Sequence, residues 1–205
     1  MTYDTLAVAD TVEKTATALK ERNFLPIIVA TKAEALAKIK ELTPAGASVM
    51  NGSSRTLEEI GFIDYLKSGQ HGWNNLHAAV FAEKDPAKQA ALRKQSVISD
   101  FYLGSVHAVA QTGELFIASA SGSQLPHLAY TSPNIILVVG GQKIAPTFED
   151  AFARVRDYVY PLEDARMKSA GAAGSVFAKV LILEREPTFM GRKVHIIFVN
   201  EKLGF

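Results

Sequence analysis

Apolar positions along this chain switch repeatedly between a helical period and short continuous runs. From Thr5 to Arg22, Leu6, Ala9, Val12, Ala16 and Leu19 fall at helical spacing, and "NFLPIIVA" follows as an apolar run broken only by Pro26. This predicts a helix and then a strand. Thr31 and Glu34 in "TKAEALAKIKEL" have the spacing of a capping box, so a second helix starts there and ends near Pro44 and Gly46, before the strand-like "ASVM". Pro86 to Ile98 reads as a helix with proline in its first turn, and "SDFYLGS" after it as a strand. Leu115 to Ala118 predicts a further strand, and Asn134 to Gly141, "NIILVVGG", is the unbroken apolar run of a strand covered on both faces.

"TFEDAFARVRDYVYPLEDAR" returns to helical spacing, with Phe148, Phe152, Val155 and Val159 on one side. The tail, "AKVLILEREPTFMGRKVHIIFVNEKLGF", predicts two strands joined through a turn with Pro and Gly, as a hairpin or a closing pair at a sheet edge. The segment "QHGWNNLHAAVFAEKD", which carries the single Trp, has weak periodicity and is placed only loosely. Repeated alternation of strand and helix gives an α/β class with a mainly parallel central sheet flanked by helices and a C-terminal strand pair. No internal repeat or low-complexity linker divides the chain. One domain over 1–205 is expected, with 1–46 as a helix and strand lead-in and 47–205 as the motif-bearing core.

Composition narrows the function classes. At 205 residues, 48% hydrophobic and 21% charged, the chain is globular in type, and a net charge of +1 provides no general attraction for nucleic acid. There is no cysteine, hence no thiolate nucleophile and no cysteine-held iron–sulfur cluster or zinc finger. No cofactor is implied. No apolar run approaches the ~20 residues of a membrane span, and the N-terminus lacks the uninterrupted apolar core of a signal peptide. A cytoplasmic protein is the expectation. His71, His77, His107 and His127 show no metal-ligand spacing, so no metal is expected.

Four polar segments with glycine follow predicted strands: Asn51 to Ser54, Gly104 with Ser105, Ser119 to Gln124, and Gly140 to Lys143. In an α/β sheet, loops at the carboxyl ends of strands gather into one crevice. In "SVMNGSSRTLEEIGF", Gly52 turns the chain, and Ser53, Ser54 and Thr56 surround a helix start. Those residues suit an anion held by free N–H groups and hydroxyls, and equally an ordinary N-cap. Lys143 reads either as a ligand's counter-charge or as a solvated lysine at a strand end.

These segments resemble the lactate-utilisation domain family in its short stand-alone form. The resemblance rests on "NGSSRTLEEIGF" and on the stretch from "SDFYLGSVHAVAQTGELF" to "PNIILVVGGQKIAPTFEDAFARV", and it covers Ser48 to Val199. It implies a fold similar to ribose-phosphate isomerases, coenzyme A transferases and formyltetrahydrofolate cyclo-ligases, with ligands at the carboxyl edge of the sheet. By position it implies an anion turn at Gly52, Ser53, Ser54 and Thr56, and cleft-lining roles for Asp100 and Gly104. Gln111, Thr112 and Gly113 match a segment that is often Glu-Thr-Gly in the family. Gln111 cannot be a carboxylate nucleophile, and Glu114 replaces it only if it turns off the exposed strand face where alternation puts it. Asn51, Ser121 and Gln124 complete the candidate ligand set; Asp100 and Glu114 are the weak catalytic candidates.

Two functions follow. One is binding of a small anionic or phosphorylated metabolite in the cleft, with the reaction open. The other, implied by the resemblance, is a non-catalytic accessory subunit beside an iron–sulfur L-lactate oxidation system, with homodimerisation left open.

Overall fold

The computed structural model describes residues 3–205, and among them ten strands form two sheets. The central sheet runs in the order β1 (Leu25–Val29), β10 (Lys193–Val199), β7 (Asn134–Gly140), β4 (Phe101–Gly104), β2 (Ser48–Asn51) and β3 (Asn74–Asn75), and its pairings are parallel. Its carboxyl ends therefore point one way and bring Asn51 and Gly104 together, with Asn51 in register with Leu103. The second sheet, in the order β8 (Ile144–Ala145), β5 (Ala108–Ala110), β6 (Leu115–Ser119) and β9 (Lys179–Leu183), is antiparallel except for the β5–β8 pair.

Strand β7 shows why the apolar run reads as it does. Ile135, Leu137 and Val139 enter one core with Val12, Ala16 and Leu19 of α1 (Ala9–Glu21) and with Val109, Leu115 and Ile117 of the second sheet. Ile136 and Val138 enter the opposite core, with Ala35 and Ile39 of α2 (Lys32–Leu42), Leu57 of α3 (Arg55–Glu59) and Phe62 and Leu66 of α4 (Phe62–Lys67). A strand buried on both faces must be apolar at every step. A third cluster joins Ala108 and Phe116 to Ala151 of α7 (Phe148–Arg154). The loosely read segment forms β3 and α5 (Leu76–Ala82), leading to α6 (Pro86–Gln95). Trp73 buries there beside Phe62 and donates its indole N–H to the Thr43 carbonyl at 3.1 Å.

Three expectations change. Helix α1 starts at Ala9 rather than Thr5, and Ala7 instead donates its N–H to the Gly141 carbonyl. The long helix after Thr147 is broken by a π-helical turn, Val155–Val159, before α8 (Tyr160–Ser169). Pro161 lacks the N–H that an unbroken α-helix would need there. The two tail strands do not pair with each other. Strand β9 is half-buried and joins β6, whereas β10, apolar toward both cores, inserts between β1 and β7. No helix among the described residues is long and apolar enough to cross a membrane.

Candidate functional site

A cleft of about 370 Å³ opens at the carboxyl ends of β2 and β4, a size suited to a small organic ligand. Asn51, Gly52, Ser53, Ser54, Thr56, Gly104, Ser121, Gln124 and Lys143 line it. Gly52 is there for space: a Cβ would sit 2.6 Å from the Tyr102 hydroxyl and 3.3 Å from Gln124 Oε1. The helix start behind Gly52 is an ordinary cap, with Ser54 accepting from the Leu57 N–H at 3.3 Å. Helix α3 has only five residues, so its dipole is a minor source of attraction.

Asp100, Gln111, Thr112, Gly113 and Glu114 lie outside this cleft. Asp100 stands at the opposite edge of the sheet, where its carboxylate accepts from the backbone N–H and the hydroxyl of Ser48 at 2.8 and 2.7 Å. Gln111, Thr112 and Gly113 form the turn between β5 and β6, and Gln111 donates its backbone N–H to the Ala145 carbonyl. That turn sits on the end of α1, because Arg22 donates to the Thr112 carbonyl at 2.6 Å. Glu114 is neither exposed nor in the cleft. It is 7% exposed and is held by Arg22 and the Thr112 hydroxyl.

Lys143 also departs from the solvated reading, at 3% exposure. Its Nζ donates to Thr56 Oγ1 at 2.9 Å, Ser105 Oγ at 3.0 Å and the Val106 carbonyl at 3.1 Å. All three are neutral oxygens. Burial and the nearby Arg154 guanidinium lower its pKa to about 7, against the pull of Glu59. Arg154, 1% exposed, donates to the carbonyls of His107 and Phe205 and lies over the Tyr158 ring at 5.3 Å, while its Nε and Nη2 have no hydrogen-bond partner. His107, lowered to about 3 by burial, Lys143 and Arg154, accepts from the Ala118 N–H at its Nδ1 and is neutral at pH 7. His127, lowered to about 4 by burial, is neutral too and stacks on Tyr102 at 4.6 Å.

Lys143 titrates differently in the two states. An unfolded chain keeps this lysine near its ordinary 10.5, so between about pH 7 and 10.5 the unfolded chain binds a proton that the folded chain has released. Stability contributed by this residue therefore rises with pH through that window. Urea midpoints of the native chain are expected to rise relative to those of Lys143→Met from pH 7 toward pH 10. Parallel curves would mean the amine keeps its proton when folded.

Other charges in the lining are largely neutralised. Arg55 pairs with Glu58 at 3.0 Å and Arg166 with Glu163 at 2.7 Å, leaving Lys143 and Arg93 without a carboxylate partner among the described residues. Asn51, 2% exposed, donates from Nδ2 to the Gly52 carbonyl, and its Oδ1 has no partner. The outer wall is aromatic, with Phe81, Tyr160, Phe177 and Phe205. Sequence reasoning missed that wall and Tyr102. The available signal was a tyrosine in an apolar strand two residues before Gly104. No group of three or more acidic or histidine side chains among the described residues could hold a metal.

The architecture is that of an α/β protein with a ligand-sized cleft at the carboxyl edge of its parallel sheet. Comparison with known families is specific: the LUD domain profile matches residues 12–199, and the chain belongs to that family, which makes it a lactate-utilisation-type domain protein. Among solved structures it is similar to the 1.70 Å crystal structure of a DUF162 family protein from Deinococcus radiodurans. The TM-score is 0.57 at 14% identity, over 96% of this chain and all of that one, a likeness in fold. No curated protein matches the chain.

Proposed function

We propose that the cleft binds a small anionic or phosphorylated metabolite, and that Lys143 is its counter-charge. The observation that supports this is a buried ammonium on three neutral oxygens with no carboxylate partner, at the wall of the main cleft. Burying a cation without a counter-ion is costly, and an anion arriving in the cleft offsets that cost. The unpartnered Asn51 Oδ1 complements it, because it accepts a hydrogen bond from a hydroxyl carried by the ligand. The aromatic wall covers the ligand's less polar part. Glu114, held by Arg22 away from the cleft, is not available for acyl transfer.

Thermal unfolding with phosphate and with L-lactate tests this. A bound anion at ~100 times its dissociation constant stabilises by about 2.7 kcal/mol, a rise of roughly 5–10 °C for a chain of this length. The rise is expected to vanish in Lys143→Met and to weaken above about pH 7, where the free amine loses its charge. Asp100→Asn, at the far edge of the sheet, is expected to keep it. An equal rise in Lys143→Met would place the anion elsewhere.

A further inference from the structure

The same lysine has features that simple charge recognition does not require. Lys143 Nζ lies beside a second buried cation, Arg154, on α7, and has only neutral oxygens in contact. The other titratable groups that act on this corner are Glu59 on α3 and His107 beside β5, with Tyr3, Asp4 and Tyr158 acting on Arg154. The Nζ is covered by Gly204, where a Cβ would sit 3.2 Å from it and 2.5 Å from Thr56 Oγ1. Only glycine lets the chain pass this close over the amine, so the tail shields Nζ from bulk water on that side while Lys143 still lines the cleft. A lysine desolvated next to another cation is the usual arrangement for one that acts as a neutral nucleophile.

Resting on the cleft reading above, we infer that Lys143 forms a Schiff base with an organic acid that carries an aldehyde or ketone carbonyl. The neutral amine adds its lone pair to the carbonyl carbon. Both N–H protons leave with the carbonyl oxygen as water, and a C=N bond to Nζ replaces the C=O bond. Thr56 can serve the proton transfers, since its hydroxyl holds the Leu203 carbonyl only at 3.3 Å and touches Nζ at 2.9 Å. No redox partner is needed, because carbon and nitrogen keep their oxidation levels. The lowered pKa of the amine, about 7, makes the neutral form available near neutrality while exposed lysines remain charged.

Reductive trapping tests the inference. The full chain is incubated with pyruvate, a simple 2-oxo acid, and cyanoborohydride, and is then mapped by peptide mass spectrometry. One carboxyethyl group per chain is expected on Lys143, with a yield greatest near pH 7, where part of the amine is charged for binding and part is neutral for attack, and lower when phosphate competes. Lys143→Arg is expected to lose the label; if that variant does not fold, the map of the native chain decides alone. Label spread over exposed lysines such as Lys88 and Lys94, or none on Lys143, overturns the Schiff base. If phosphate still raises the melting temperature in that case, the anion cleft stands without it. If phosphate and L-lactate also fail, the cleft reading falls as well.

Discussion

Replacing Glu114 with alanine is expected to cost about 2–4 kcal/mol of folding stability while leaving ligand-induced stabilisation at the cleft unchanged. Glu114 binds Arg22 through one carboxylate oxygen and the Thr112 hydroxyl through the other. Arg22 in turn donates to the carbonyls of Thr112 and Glu184, tying the end of α1 to the β5–β6 turn and to the chain after β9. Its side chain is 21% exposed, so removing Glu114 leaves a mostly buried guanidinium with only Glu184, itself 62% exposed, as carboxylate partner. A pair open to solvent would contribute under about 1 kcal/mol. Urea unfolding distinguishes the cases: a fall in midpoint at constant slope is the expected result, and a change below 1 kcal/mol would reduce the pair to a surface contact. Native Glu114 is likewise expected to give no acyl adduct with acyl-CoA under hydroxylamine trapping.

Gly140→Ala is expected to cost about 3 kcal/mol or more, and to take the cleft's ligand response with it. The backbone angle at Gly140, φ −67°, suits any residue, so conformational strain is not the reason. Space is the reason. A Cβ would stand 2.7 Å from the Leu203 backbone nitrogen and 2.9 Å from the Glu201 carbonyl oxygen. That tail is held by Gln142, which donates to the Leu203 carbonyl at 3.0 Å and accepts its N–H at 3.3 Å, and by the Gly141 N–H on the Glu201 carbonyl. Backbone cannot yield there as a flexible side chain would. Displacing residues 201–204 also uncovers Lys143 and Thr56, which lie under Gly204. The expected readout is a melting temperature lower by about 6–12 °C, with no further response to phosphate. A variant that melts as the native chain does would show that the tail is not clamped.

Local features were legible in the sequence because their causes are local. Thr31 caps α2 by accepting from the Glu34 N–H, as their spacing implies. The apolar run Asn134–Gly140 is a central strand because residues next to each other face opposite cores. Asn51 and Gly52 fall at a strand's carboxyl end because the alternation of elements puts them there. The sequence could also show that the chain holds no cysteine chemistry, since that depends on composition alone.

Tertiary structure decided what depends on partners distant in the chain. Glu114 reads from the sequence as an exposed strand charge, whereas in the fold Arg22, 92 residues away, buries and neutralises it. Asp100 belongs to the wrong edge of the sheet for a cleft residue, because strand direction places it beside Ser48 rather than Gly104. Lys143 looks like any lysine after a strand, and only Thr56 and Ser105, 87 and 38 residues away, turn it into a buried cation. Tail strands β9 and β10 are neighbours in sequence, yet burial on two faces sends β10 to the centre of one sheet and half-burial leaves β9 on the edge of the other. Periodicity records which side of an element is apolar; it carries no record of which distant group that side will meet.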